Sequence, residues 1–547
     1  MEVSVYERER QERIQRNREW IAKLGVNELA TGLRPEAVAG KARAAPAGLR
    51  KRKTISEANG VDEEVVRARR MSLRVRGRRP EGDVDEASAS GEGKRGTTVV
   101  AEPDRGPVLG DQHWEQIALR DYGVWNEDEE GREEDDPERQ RRRLVERFAT
   151  CLSAPTTPSY TNAADADVAQ RLPSWSLHEE RGFAKLVPDR VYSAVMLPRN
   201  DQWVVAVGDK WGRVGLLASS ATAGAAMGIL SLTVHRRAVS GLAVLGGDGG
   251  GRRLLTTSYD GSARVLDLEK QMASTVFVDQ EERLLKSVAV AAAPTAATAA
   301  RNSNSAEVNA EPNVWWSTLI DRSRGGCLVR HDLRTPMHTA DEFFVSDYKL
   351  YSVDACCLHT AQAHSSAERL AVATARDGVL VYDTRRLSTS ARRRNAPQQP
   401  LCALPHERAV TAARWSPSGT RLLTTCYDDR LRIWHGDWEA ASKARTEHTF
   451  VHNNNTGRWV TAFDARWNPA SADDTLFACG SMHNSPYHGV DVFHTRHAPH
   501  AVWHRLGGDA MTAIAAVLAW HPGGQALAGA TASGRLYLWC PWDDQTA

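Results

Sequence analysis

The 547-residue chain has few of the features that would announce a membrane protein, a disulfide scaffold or an enzyme. No stretch of about 18 apolar residues occurs, so no segment reads as a membrane-spanning helix. The opening Met1–Arg18 is charged throughout, so it does not read as a secretory signal either. Cysteine is sparse: eight residues (151, 327, 356, 357, 402, 426, 479 and 540) without C-x-x-C spacing. That pattern predicts buried free thiols rather than a disulfide framework or a zinc site. Net charge of one sign is also missing, with 70 Lys+Arg against 69 Asp+Glu, so only the distribution of charge can point to a partner.

Sequence signatures of catalysis are absent too. There is no G-x-x-x-x-G-K-[ST] loop, no H-E-x-x-H, no G-x-S-x-G and no spaced Cys/His ligand set, so a binding protein without cofactor is expected. His494, His497 and His500 form H-x-x-H-x-x-H, but they lie in a hairpin-rich segment where solvated histidines are the simpler reading.

What is present begins with a polar N-terminal third. Met1–Val26 contains no Pro, and its one Gly is Gly25 near the end, which reads as a helix, either solvated or docking. Lys41–Arg79 carries 13 Lys/Arg against 4 Asp/Glu, a net +9. An acidic block, Glu127–Glu138, then runs into Arg139 and Arg141–Arg143. Such blocks predict a charged region without structure over 27–182. Its basic part reads as a solubilising tail, a nuclear-import signal or a non-specific phosphate contact.

From about residue 183 the texture changes to short β-branched runs, and one unit recurs seven times: strand, Gly or Asp turn, strand. The instances are Val204–Leu217, Leu254–Leu268, Trp315–Arg334, Leu370–Arg385, Leu422–His435, Leu476–His494 and Ala526–Trp539. Upstream of several sits a further strand ending in a turn such as Trp415–Gly419, Trp467–Pro469 or Trp520–Gly524, and His235 and His406 stand where a Gly-His signal would. A lone four-stranded blade has bare edges and an apolar face it cannot bury, and a closed ring covers both. The expectation is an all-β fold over 183–547: a seven-bladed WD-repeat β-propeller with insertions at Ala289–Asn313 and Ala391–Pro400. Gly182–Val187 should complete the last blade, and Trp415, Trp467 and Trp520 should pack between blades.

Two segments are harder to explain by packing. Val187–Ser193 (VPDRVYS) is followed by Gly208–Arg213 (GDKWGR), which puts Lys210 and Trp211 at a hairpin turn near Arg190 and Arg213. His452–Trp459 (HNNNTGRW) is a polar loop ending in Arg458-Trp459; three consecutive Asn, including Asn454, argue against core. An exposed Arg-Trp tip can stack on a base or wedge between base pairs.

These strings, with TTSYDGSARVLDLEK, SPSGTRLLTTCYDDRLRIW and the opening YERERQERIQRNREWIAKLGV, resemble the family of WD repeat-containing protein 76 and its fungal damaged-DNA-binding relatives, itself similar to the small subunit of the UV-damaged-DNA-binding complex. The resemblance covers about 183–540. It implies a nuclear protein of the DNA-damage response that binds double-stranded DNA, preferring UV-damaged duplex. Arg190 and Lys210 match residues facing the DNA backbone there, Arg213 is expected to position phosphates with them, and Gly457-Arg458-Trp459 matches the hairpin inserted at a lesion. Relatives of this kind also dock on a cullin-4 ubiquitin-ligase adaptor through W-D-x-R. Here His331-Asp332-Leu333-Arg334 and Tyr382-Asp383-Thr384-Arg385 keep Asp and Arg but lack Trp, so each is either an adaptor contact or a structural strand end. A protein-interaction scaffold, with the ligase adaptor or chromatin proteins as partners, is the competing reading. No small-molecule substrate is implied.

Overall fold

In a computed structural model, the described residues are 116–119, 122, 137–153, 168, 170–199, 202–219, 227–245, 253–290, 313–321, 325–358, 367–389, 396–436, 438, 444–471, 473–484 and 488–542. The chain divides into two units, Met1–Gly77 and Arg78–Ala547; the description below concerns the second, and the expected Met1–Val26 helix and Lys41–Arg79 basic segment lie outside the described residues.

Each of the seven recurrent units folds into the middle hairpin of an antiparallel blade, four-stranded in five of them and five-stranded in the second and the seventh. In the seventh, Ser176–Leu177 also pairs with the edge at Trp539–Cys540. Blade 1 comprises Val191–Met196, Trp203–Asp209, Arg213–Ser219 and Gly228–Thr233. Blade 2 is Val239–Leu245, Arg253–Ser258, Ser262–Asp267 and Met272–Val278, and blade 3 is Leu284–Val290, Val314–Asp321, Gly325–Asp332 and Asp341–Ser346. Blade 4 is Leu350–Leu358, Ala367–Thr374, Val379–Asp383 and Cys402–Leu404, and blade 5 is Val410–Trp415, Arg421–Cys426, Arg430–His435 and Arg445–Val451. Blade 6 holds Arg466–Trp467, Leu476–Gly480, Gly489–His494 and His504–Gly507. Blade 7 holds Ala515–Trp520, Leu527–Thr531 and Arg535–Cys540, and its outer strand is Phe183–Lys185, with Phe183 opposite Tyr537 and Lys185 opposite Arg535. This late strand from the start of the domain closes the ring, as expected. The innermost strand of blade 7 packs on that of blade 1.

The middle strands are buried on both faces, as in Trp203–Asp209 and Leu527–Thr531, because each sheet is covered by a neighbour on either side. Trp467 and Trp520 end the inner strands of blades 6 and 7, and each indole N–H donates across to the preceding blade: Trp467 Nε1 to the Arg414 carbonyl and Trp520 Nε1 to the Arg466 carbonyl, both at 3.0 Å. Trp415 packs edge-on against Trp438, with ring centroids 5.0 Å apart. The two expected Gly-His positions are internal pins. His406 Nε2 lies 3.0 Å from the Thr424 hydroxyl, which also accepts from Trp434 Nε1 at 3.1 Å; His235 Nε2 lies 2.8 Å from the Thr256 hydroxyl. Burial pulls the His406 pKa down to about 4, so this pin is neutral near pH 7. Cys402, Cys426 and Cys479 are buried free thiols.

Two expectations are corrected. The region 27–182 is not structureless throughout. Gln116–Ala118 adds a fifth strand to blade 2 on Met272–Ser274, covering an edge that would otherwise be bare. Pro137–Ser153 is a helix whose Val145 and Phe148 enter the apolar cluster of blades 1 and 2, while Arg142, Arg143 and Arg147 stay exposed. Leu172 and Trp175 pack on blades 6 and 7. Apolar residues spaced along one helical face gave these charged segments something to bury, which overall composition concealed. The insertion is also shorter than Ala289–Asn313. Ala289 is buried in a strand opposite Trp316, and only 291–312 fall outside the described residues between the two strands.

Candidate nucleic-acid interface

The turn Asp209–Arg213 joins the middle strands of blade 1. Asp209 Oδ1 accepts from the backbone N–H groups of Trp211 (2.8 Å) and Arg213 (2.7 Å), folding the turn tightly. Gly212 sits at φ +90°, and a Cβ there would lie 2.0 Å from the His235 carbonyl oxygen, so only glycine fits. Burial raises the Asp209 pKa to about 6, against the lowering effect of its hydrogen bonds with the Arg213 and Trp211 backbone and of the Arg213 charge.

The loop Val187–Arg190 interlocks with this turn. Asp189 Oδ2 accepts from Trp211 Nε1 at 2.7 Å, and the Arg190 carbonyl accepts from the Lys210 N–H at 2.9 Å. The Lys210 ammonium stands 4.5 Å from the Trp211 ring centroid, and that ring is 40% exposed. Sequence neighbours at two separate sites thus become one patch. Exposed Arg236 and Arg237 lie beside it in the loop against which Gly212 packs.

Arg213 does not share the patch. It is buried beneath the turn, with Nη1 3.8 Å from Asp209 Oδ2, so the expectation that it contacts phosphate is corrected. It follows Gly212 as the first residue of a strand buried along its whole length, which leaves its side chain under the sheet rather than in solvent.

The loop after blade 5 carries the second element. Asn454 is also not a surface residue, contrary to expectation: it is 1% exposed. Its Nδ2 donates to the carbonyls of Cys426 (2.9 Å) and Arg430 (3.2 Å), its N–H donates to Asp429 Oδ1, and its Oδ1 lies 2.7 Å from His452 Nδ1. An amide has both donors and acceptors, so it can satisfy several stranded backbone groups at once, which a hydrophobic residue cannot. The triplet alternates: Asn453 and Asn455 are exposed while Asn454 anchors. Beyond the anchor, Gly457 takes φ +70° with open space around its Cβ position, and Trp459 projects at 76% exposure with Arg458 5.4 Å from its ring centroid.

The two elements meet. Arg190 Nη1 donates to the Arg458 carbonyl at 2.8 Å, and Thr461 Oγ1 donates to the Val191 carbonyl at 2.6 Å. Arg190, Lys210, Trp211, Arg458 and Trp459 therefore share one face of the ring, and Arg190 and Arg458 line the mouth of the central channel. All seven blades line that cavity, of about 200 Å³. Sequence reasoning missed the rest of its rim: Tyr192, Tyr259, Lys286 and Tyr351. Tyr259 carried a faint signal, standing just before the Asp-Gly of a hairpin turn; Lys286 carried none.

The Asp–Arg pairs are built alike. Arg334 donates Nε and Nη2 to the two oxygens of Asp332 at 2.9 and 2.6 Å, and Arg385 does the same to Asp383 at 3.0 and 2.7 Å. Each Asp also accepts from the backbone N–H of its Arg. The Arg334 guanidinium holds the Asp332 pKa down to about 2. Both arginines are exposed at the far ends of third strands that begin at the Lys210-side turns of their blades, so they lie on the opposite face, roughly 16–26 Å away at strand rise.

Residues 398–435 match the WD domain, G-beta repeat family. WD repeat-containing protein 76 of Xenopus laevis is 28% identical over 370 residues, covering 67% of this chain and 56% of that protein. DNA damage-binding protein CMR1 of Chaetomium globosum is 29% identical over 404 residues, covering 68% of this chain and 69% of its own length. CMR1 of Phaeosphaeria nodorum is 26% identical across 98% of this chain and 99% of that protein. The chain thus spans little more than half the length of the Xenopus relative. Among solved structures, the Myceliophteria thermophila Cps50 (Swd1) β-propeller domain is similar at 15% identity and a TM-score of 0.44, covering 67% of this chain and 99% of that one. The chain is a seven-bladed β-propeller with a WD-repeat match at residues 398–435, and it is similar to WD repeat-containing protein 76 and to the fungal DNA damage-binding protein CMR1.

Proposed function

We propose that this protein is a nuclear, non-catalytic DNA-binding propeller of the DNA-damage response that prefers UV-damaged duplex. The observation that carries the reading is the convergence of Arg190, Lys210 and the Arg458-Trp459 tip on one face, joined by the Arg190–Arg458 hydrogen bond. The printed name of the fungal relatives, DNA damage-binding protein, points the same way.

The mechanism divides labour. Arg190 and Lys210 neutralise phosphates and set the duplex on the face without reading sequence. Trp459 then probes the stack. Wedging an apolar ring into an intact step costs a few kcal/mol, and a lesion that has already weakened stacking lowers that cost, so preference follows deformability. The test is a gel-shift titration at rising salt with irradiated and unirradiated duplexes of one sequence. Retention near physiological salt with preference for the irradiated duplex supports the reading; no retention of either overturns it.

A second reading is favoured by the Asp332–Arg334 and Asp383–Arg385 pairs. Two adjacent blades present the same exposed, carboxylate-held guanidinium on the face away from the DNA patch. They suit docking to a cullin-4 ligase adaptor, with the propeller as substrate receptor, and co-purification with that adaptor tests it.

A further inference from the structure

The channel mouth has an order of its own. Arg458 accepts the hydrogen bond from Arg190; the Arg190 guanidinium lies 4.8 Å from the centroid of Tyr192 and also bonds its hydroxyl. Tyr192 meets Tyr259 edge to face at 6.2 Å. The Lys286 ammonium donates to the Tyr259 hydroxyl at 2.9 Å and stands 5.6 and 5.4 Å from the ring centroids of Tyr259 and Tyr351. Two cations, two aromatic rings, a cation and a further ring therefore follow one another along an arc, from the loop before blade 6 to blades 1, 2, 3 and 4. All six residues contribute positive charge or π-surface. The acidic groups deeper in the channel are already neutralised: Asp464 is paired with Arg414 and Arg466 at 2.7 Å, and Asp354 lies 3.5 Å from Arg414.

We propose that this arc is a track for an unpaired nucleic-acid strand, its bases stacking on the half-buried Tyr192 and Tyr351, with buried Tyr259 holding Lys286 between them, and its phosphates meeting Arg190, Lys286 and Arg458. The inference rests on the DNA-binding reading and names the form of DNA that the mouth takes. A cavity of about 200 Å³ cannot admit a double helix, whereas every base offers a planar face to a tyrosine. A cationic peptide is the wrong ligand. Arg190, Lys286 and Arg458 already place positive charge at the mouth and would repel it.

Full-length protein is titrated, by fluorescence anisotropy near physiological salt, into an intact duplex, the same duplex with a bubble of about six to twelve unpaired nucleotides, and single strands of DNA and of RNA of that length. The bubble and at least one single strand should bind about tenfold or more tighter than the intact duplex; which strand binds tighter tells DNA from RNA as the natural source. Tyr351→Ala should weaken the bubble complex by about 5- to 150-fold, the loss expected for one stacked base, and leave the intact duplex unchanged. Tyr351→Phe, which keeps the ring, should behave as wild type. Equal affinity for bubble and duplex overturns the track while leaving duplex binding standing, as does a Tyr351→Ala variant that weakens both alike. Preferential capture of a trimethyl-lysine peptide overturns it in favour of a protein ligand. Failure to bind any nucleic acid removes the DNA-binding reading itself.

Discussion

The Arg190 guanidinium donates a 2.8 Å hydrogen bond to the carbonyl of Arg458, joining the loop that opens blade 1 to a fingertip 268 residues further along the chain. A guanidinium spent partly on a protein carbonyl still has donors left, since Arg has five N–H groups in a planar fork. The contact fixes the height of the fingertip relative to the Lys210 turn, and fixed geometry is what lets two weak elements act on one duplex.

Trp459→Ala should abolish the preference for damaged over intact duplex while leaving folding untouched. At 76% exposure the indole contributes little to the core, so thermal denaturation should match wild type within about 0.5 kcal/mol. Competition gel shifts with irradiated duplex measure the preference; full discrimination by the variant would remove the wedge.

Lys210→Ala should weaken binding to every duplex alike. Losing one phosphate contact reduces the slope of log affinity against log salt by about one. Anisotropy titrations at four or five salt concentrations give that slope directly, and an unchanged slope would take Lys210 off the phosphate path.

Asn454→Ala should destabilise the fold by about 1–3 kcal/mol, because it strands the carbonyls of Cys426 and Arg430 in a buried setting. The loss is measured by denaturant unfolding. Limited proteolysis should then cut between Asn455 and Trp459, where the wild-type loop resists.

Asp209→Asn should change how stability depends on pH. The native Asp209 pKa lies near 6, above the unfolded value of 3.8, so the native state holds a proton that the unfolded state has released between those values. Wild-type stability therefore falls as pH rises from about 4 to 6 and is flat in this respect above 6. The variant keeps the Oδ1 acceptor for the turn but has no charge to bury. Its stability advantage should grow across that window to on the order of 2–3 kcal/mol at pH 7, at 1.36 kcal/mol per pKa unit. Denaturation midpoints at pH 4, 5, 6 and 7 check it; parallel curves for the two proteins would refute the assignment.

Arg385→Ala should leave DNA binding unchanged, since the residue lies on the far face, and should reduce co-purification with a cullin-4 adaptor. The Arg334→Ala, Arg385→Ala double variant should lose it. Wild-type recovery of the adaptor by the double variant would leave both pairs as strand-end caps.

The sequence by itself determined the ring. A hairpin signal repeated seven times, buried on both faces, has no stable solution except mutual coverage, so blade number, the closing strand at Phe183–Lys185 and the inter-blade tryptophans were all legible in local pattern. Local pattern also found the turn of Lys210 and the tip of Trp459. What it misjudged were residues whose side chains the fold turned inward: Arg213 tucked under its own turn beside Asp209, Asn454 spent on carbonyls 24 and 28 residues back, and a charged segment holding Val145 and Phe148 against blades not yet synthesised. The tyrosine and lysine rim of the channel was decided by tertiary structure alone. Its members come from four different blades, three from inner strands and Tyr259 from a hairpin turn, and only closure of the ring brings them within reach of one another. Periodicity is a property of the chain, whereas a shared rim is a property of the space that the chain encloses.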